Sequence, residues 1–412
     1  MLKTRAVLAL SLLSPLIGCA EESAEPRTTM DAGAATSDGG GKDGGTPRAD
    51  AGAKLDFSAF DDAVEAAIAA HNAANPDAGL RGASAVVVDE EGAVVHSQGY
   101  GEYEAERLYL VASASKPLSV GVLMRLADQG LLDLDTPISE YLGEWGEHKT
   151  NVTVAQLVSN SSGLPSLGEI SSPTAGSNPA LLPHFCQYRE AGSLETCGKA
   201  IYTDDVPANN RPPDEMYRYG GSQWQLAGAI AEQVSGKSWA KLIEETYVEP
   251  CGVDSLAYTN QFEKGGLGYP TFFEADPANL PETQNPSIEG GAYLTAQDYG
   301  KLLGMHLRGG TCGSKRVLSK EAVARMQKDR VGGDDGYGPG TGNAGLPGYG
   351  LGWWVNDAQG YVASPGAYGA YPLIDQKRRY ALFLVIESTT AVGSAIALKA
   401  KPTLDRIFDA KN

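Results

Sequence analysis

Positive charge is scarce in this chain. Its 33 Lys and Arg residues face 51 Asp and Glu, a formal net charge of −18. A surface of that sign argues against a nucleic-acid partner, which needs basic groups to displace phosphate counterions. It argues equally against attachment to an anionic membrane through a basic face. Histidine is thin as well: His71, His96, His148, His184 and His306 show no metal-ligand spacing with one another or with a cysteine, so no metal is expected. No Gly-x-Ser-x-Gly stretch occurs, which weighs against the nucleophile elbow of the α/β-hydrolases. The apolar N-terminal stretch Ala6 to Leu13 is too short to span a bilayer.

That N-terminal stretch has another reading. Lys3 and Arg5 precede it, and Leu16-Ile17-Gly18-Cys19 follows in a pattern that resembles a bacterial lipobox. Residues 1–19 are therefore expected to be a lipoprotein signal, with Cys19 lipidated and the protein held in the cell envelope by its lipid. Residues 20–54, rich in Gly, Ala, Ser, Thr and Asp, lack the apolar content for a core and read as a flexible tether. Residues 55–412 form one globular unit of two lobes, since no second linker interrupts them. With Cys19 assigned to lipid, Cys186, Cys197, Cys251 and Cys312 remain for pairing. Four cysteines allow three connectivities. The nearest-neighbour set, Cys186–Cys197 and Cys251–Cys312, is the expected one, the second bond tying two helical segments together.

The chain is organised around Leu108-Tyr109-Leu110-Val111-Ala112-Ser113-Ala114-Ser115-Lys116-Pro117, where a buried run turns into a helix. Positions i and i+3 share a helix face, which places the Lys116 amine within reach of the Ser113 hydroxyl. A serine becomes a nucleophile when a neighbouring base takes its proton, and a lysine serves only if desolvation keeps it neutral. Pro117 is tolerable only in a first helical turn, which supports Ser113 as the helix start. Ser238-Trp239-Ala240-Lys241 repeats the spacing but opens a charged, solvated helix. On spacing alone, a capping serine and a catalytic one remain equal readings of Ser113.

Elsewhere, apolar residues at helical spacing (Phe60, Val64, Ala67, Ile68) predict a helix over 57–74. Residues 83–88 and 93–97 predict a hairpin. Helical signals dominate from about 145 to 310, and 331–348 reads as a surface loop. Strand character returns at 352–355, 371–374 and 380–386, and a helix closes the chain from Val392. Strands from both ends would join one antiparallel sheet, flanked by N- and C-terminal helices and with the helical lobe inserted between them. This is an α+β class, with a ligand cleft between the lobes.

Several blocks, in order, then resemble the serine hydrolases related to class C β-lactamases, a group that includes penicillin-binding D-alanyl peptidases and bacterial esterases. Beyond Ser113-x-x-Lys116 they are Gly130 to Pro137, Val152 to Pro165, Pro213 to Tyr219, Val234 to Ser238 and Tyr349 to Trp353. Asn160 stands where the family often has histidine. The resemblance implies a β-lactamase/transpeptidase-like fold and a Tyr-x-Asn element, whose register falls on Tyr219, with Tyr217 a less favoured alternative. The asparagine is replaced by Gly221. The third element, Lys-Thr-Gly or His-x-Gly in the family, is here Ser364-Pro365-Gly366. By the same resemblance, Ser113, Lys116 and Tyr219 are catalytic, the N–H groups of Ser113 and Ala367 form an oxyanion hole, and Gly221, Trp354, Ser364 and Gly366 line the substrate site. The expected activity is hydrolysis of small or medium acyl esters through an acyl-enzyme, without metal or organic cofactor. Amide hydrolysis of the D-alanyl peptidase or β-lactamase type is the first alternative, and a non-catalytic binding protein the second.

Overall fold

The computed structural model describes residues 55–172, 174–266, 268–332 and 346–411. Cys19, the tether and most of the expected 331–348 loop lie outside them.

The chain opens with helix α1 (Ser58–Ala74) and the hairpin β1 (Gly82–Val88) and β2 (Val94–Gly101). Strand β3 (Leu108–Leu110) leads through a 3-10 turn, Ala112–Ser115, into helix α2 (Lys116–Asp128). Helix α3 (Val154–Val158) begins the inserted lobe, which includes the helices Leu194–Tyr202, Ser222–Ser235 and Ala296–Leu307. Two strands also lie in it, β4 (Ala257–Tyr258) and β5 (Ala292–Thr295), and they pair with β3 in the order β3-β5-β4. A two-stranded ribbon follows, β6 (Thr311–Cys312) and β7 (Lys315–Arg316). The chain ends with β8 (Gly348–Tyr349), β9 (Trp354–Asn356), β10 (Tyr361–Ala363), β11 (Tyr371–Asp375), β12 (Tyr380–Ile386) and the helix Thr390–Lys411.

The main sheet runs β2-β1-β12-β11-β10-β9-β8 and is antiparallel throughout. Its centre joins the two ends of the chain, with Ala85 opposite Leu384 and Val87 opposite Leu382. Both faces of that centre are covered, which explains why β12 reads Tyr-Ala-Leu-Phe-Leu-Val-Ile without polar alternation. Val86, Val88, Phe383 and Val385 face the helical lobe, where Tyr299 stacks on Phe383 at 4.1 Å. Ala85, Val87, Leu382 and Leu384 face α1 and the closing helix, where Phe408 stacks on Tyr380 at 4.7 Å. This is the α+β arrangement expected, a β-lactamase/transpeptidase-like fold.

Both disulfides form as expected. Cys186–Cys197 joins a 3-10 segment to the Leu194–Tyr202 helix. Cys251–Cys312 departs in one respect: it ties a helical turn to the β6 strand, not two helices, because Gly309 and Gly310 end the preceding helix before Cys312 is reached.

Candidate active site

Ser113 lies in the 3-10 turn, one residue after Ala112, whose φ of 45° is in the left-handed region. A β-carbon makes that conformation cost about 1–2 kcal/mol, so the turn needs external support. It receives a hydroxyl on each of four successive carbonyls. Ser115 Oγ donates to Ala112 O at 2.6 Å, Ser364 Oγ to Ser113 O at 3.2 Å, Tyr299 Oη to Ala114 O at 2.7 Å and Tyr258 Oη to Ser115 O at 3.1 Å. Ser115 Oγ also accepts the Ala292 N–H at 2.9 Å, fastening the turn to β5. Helix α2 starts at Lys116, with Pro117 in the first turn where its missing N–H is harmless.

The 3-10 turn brings Lys116 Nζ to 3.1 Å from Ser113 Oγ, and Tyr219 Oη reaches the same oxygen at 2.7 Å. The register that favours Tyr219 over Tyr217 agrees with this geometry. Tyr217 packs against Tyr349 and Trp354, its hydroxyl buried near Asn160 and away from Ser113. The second Ser-x-x-Lys copy is a helix cap: Ser238 Oγ accepts the Lys241 N–H at 3.3 Å, and the exposed Lys241 amine pairs with Glu244.

Lys116 is fully buried. Burial pushes its amine down, but Tyr219 and Glu289 more than offset this, and the group stands above the ordinary lysine range. That direction favours the ammonium over the neutral amine that a lysine base requires. Its partner, Glu289, escaped the sequence reading. Glu289 Oε2 accepts from Lys116 Nζ at 3.1 Å and the Glu289 backbone carbonyl at 3.2 Å. The two residues are 173 positions apart, and no spacing rule joins them.

The remaining predicted residues are gathered here too, some in different roles. Gly221 adjoins the Lys116–Glu289 pair: a β-carbon there would come within 2.2 Å of Glu289 Oε1. Trp354 is half-buried and lies over Tyr219 at 5.7 Å, forming one wall. Ser364 is expected to face substrate, but it is 1% exposed and turned to the Ser113 carbonyl, because Gly366 brings its strand end tightly against the nucleophile segment. Gly366 is required by that approach itself, since a β-carbon would stand 2.1 Å from Val111 O. Ala367 follows in a turn beside Tyr368, and on this side Phe262 and Tyr368 pack against Ala112. Asn160, at φ 58°, accepts from Trp224 Nε1 at 3.0 Å and Gln223 Nε2 at 3.1 Å, which makes it a brace between α3 and the Ser222–Ser235 helix.

A serine held by a buried lysine and a tyrosine, between an antiparallel sheet and a helical lobe, defines the class of β-lactamase-fold serine hydrolases. The chain belongs to the beta-lactamase family, whose model matches residues 60–400. It is 24% identical over 206 residues to Protein flp of Staphylococcus aureus (strain N315), a match covering 46% of this chain and 38% of that protein. The matched segment thus spans well under two thirds of that curated relative. Among solved structures, the octameric penicillin-binding protein homologue from Pyrococcus abyssi is similar with a TM-score of 0.60 and 22% identity, covering 83% of this chain and 76% of that one. EstCE1, a hydrolase with promiscuous acyltransferase activity, is similar with a TM-score of 0.65 and 17% identity, covering 84% and 98%.

Proposed function

We propose that this protein hydrolyses esters of small or medium, uncharged acyl groups through an acyl-enzyme on Ser113. The observation that carries the reading is the convergence of Tyr219 Oη (2.7 Å) and Lys116 Nζ (3.1 Å) on Ser113 Oγ. Acting as the phenolate, Tyr219 takes the serine proton during attack and as the resulting phenol returns it to the leaving alkoxide, while the Lys116 ammonium steadies the phenol oxygen whenever it is charged. The N–H groups of Ser113 and Ala367 receive the oxyanion, where preorganised donors act on charge that develops only in the transition state. Water, activated by Tyr219, then releases the acid.

The ester preference rests on charge. Lys116 is neutralised by Glu289, and Ser364 is turned away, so neither offers a cation to a substrate carboxylate. The half-buried rings of Tyr219 and Trp354 beside the nucleophile suit an apolar acyl group. Losing one charge-assisted hydrogen bond to an anion corresponds to about 10- to 150-fold weaker recognition.

The test compares p-nitrophenyl acetate and butyrate, a chromogenic cephalosporin and a D-alanyl dipeptide on wild type and Ser113→Ala. The esters are expected to be cleaved with the highest kcat/KM, and Ser113→Ala to be silent. A higher kcat/KM for the cephalosporin would overturn the ester assignment. Failure of a covalent serine probe to label Ser113 would favour a binding protein instead.

A further inference from the structure

Three observations meet around Gly221. The backbone there offers no side chain, yet the adjoining space is filled: a β-carbon would stand 2.0 Å from Gln187 Oε1 and 2.2 Å from Glu289 Oε1. The Gln187 amide is fixed in orientation, because its Nε2 donates to His184 O at 2.8 Å and to Ser222 Oγ at 3.1 Å. Lys116 Nζ donates to Ser113 Oγ, Glu289 Oε2 and Glu289 O, with Tyr219 beside it. Gln187 and Glu289 are both almost completely buried.

We propose that Glu289 is the positioning residue of this site: its carboxylate occupies the space left by Gly221 and holds Lys116 against Ser113, so that residues 221 and 289 act as one unit. The proposal rests on the serine hydrolase reading above and deepens it. A carboxylate carried by a distant loop replaces a side chain that the tyrosine element could have supplied itself. The ammonium and carboxylate cancel, which is why the site favours substrates without charge near the scissile bond.

The other groups facing this pair are few. Tyr219 and Trp224 present their rings to Lys116 Nζ at 4.5 and 5.4 Å. Tyr188 and Tyr349 feel the Glu289 charge, but burial holds both phenols far above their ordinary range, so they remain neutral. Glu289 is thus the source of negative charge that a substitution can remove without touching the reacting oxygens.

The experiment measures kcat and KM for p-nitrophenyl butyrate from pH 6 to 10, with a covalent probe reporting on Ser113. The variants are Glu289→Gln, Gly221→Asn, Gln187→Ala/Glu289→Ala and the triple variant Gly221→Asn/Gln187→Ala/Glu289→Ala, with circular dichroism and a thermal melt for each. Glu289→Gln preserves shape; it should lower kcat about 10- to 100-fold with little change in KM. Its alkaline limb should move to lower pH, because a buried ammonium without its anion releases the proton more easily. Gly221→Asn alone should be disabled by its collision with Gln187 and Glu289. The triple variant, with both side chains cleared from the space and an amide oxygen available to Lys116, should regain at least about tenfold over Gly221→Asn and over Gln187→Ala/Glu289→Ala. A folded Glu289→Gln with the wild-type rate and pH profile overturns the proposal, as does a folded triple variant no better than Gly221→Asn. If Ser113→Ala still turns over, the reaction reading itself falls; if Ser113 is required while Glu289→Gln behaves as wild type, only the role of Glu289 falls.

Discussion

The Ser364 hydroxyl donates to the Ser113 carbonyl at 3.2 Å. The residue that aligns with a substrate-gripping cation in related enzymes therefore braces the nucleophile from behind. Ser364→Ala should loosen the turn, lowering kcat several-fold and stability by about 1 kcal/mol. Ser364→Lys should not create a carboxylate site, because it would bury a second cation beside Lys116; loss of soluble, folded protein is the expected result. Kinetics and thermal melts on both variants check this.

Removing the reacting groups separates the two serines and the two tyrosines. Ser113→Ala and Tyr219→Phe should each abolish measurable ester turnover. Tyr217→Phe should retain it, since the Tyr217 hydroxyl does not reach Ser113 and its ring packs against Tyr349 and Trp354. Ser238→Ala should keep its kcat and cost only a helix cap, about 0.5–2 kcal/mol. An inactive, folded Ser238→Ala would reassign the nucleophile.

These contrasts show how much the sequence disclosed. Ser113, Lys116 and Tyr219 were legible because they sit in local patterns, a helix-start spacing and a register fixed by flanking residues. Strand β12 was legible to the residue because its burial on both faces leaves an uninterrupted apolar run. Glu289 was not, because its partner lies 173 residues away and the pairing is created by tertiary packing alone. Strand β10 has three residues, too few to show a period. The bond from Ser364 to the Ser113 carbonyl was not legible for a related reason: a family register gives the position of a side chain, not the direction its hydroxyl takes.

The two disulfides should differ in worth. By loop length, with separations of 11 and 61 residues, the chain-entropy model gives about 3 kcal/mol for Cys186–Cys197 and about 4 kcal/mol for Cys251–Cys312. The paired Cys251→Ser/Cys312→Ser variant should therefore melt lower than Cys186→Ser/Cys197→Ser. Unreduced peptide mapping should show these two bonds and no crossed pair.

His306 should make the fold acid-sensitive. Burial against Trp353 holds its imidazole down to about 4, from an ordinary 6.5. The folded pKa is depressed, so its contribution is fully present above about 6.5 and is lost as pH falls through about 4, up to roughly 3 kcal/mol. Urea unfolding at pH 7.5 and 4.5 measures the loss. In His306→Leu the loss between those two pH values should shrink; an identical loss would remove His306 as a cause.

For the N-terminal segment we propose lipidation at Cys19, on the Leu16-Ile17-Gly18-Cys19 pattern and the tether after it. Cys19→Ser should move the protein from the membrane fraction to the soluble fraction. Unchanged partition would refute the anchor.

The nucleophile turn is held by Tyr258, Ala292, Tyr299 and Ser364, all encoded at least 143 residues downstream of the carbonyl or hydroxyl each one secures. A partly made or partly threaded chain thus possesses Ser113 and Lys116 but not the scaffold that holds them in place. On the proposed mechanism, the reactivity of Ser113 should await the docking of the segment that carries Ser364. Hydrolysis of a simple ester would consequently report completion of the whole fold, and its recovery during refolding should lag behind the return of helical signal.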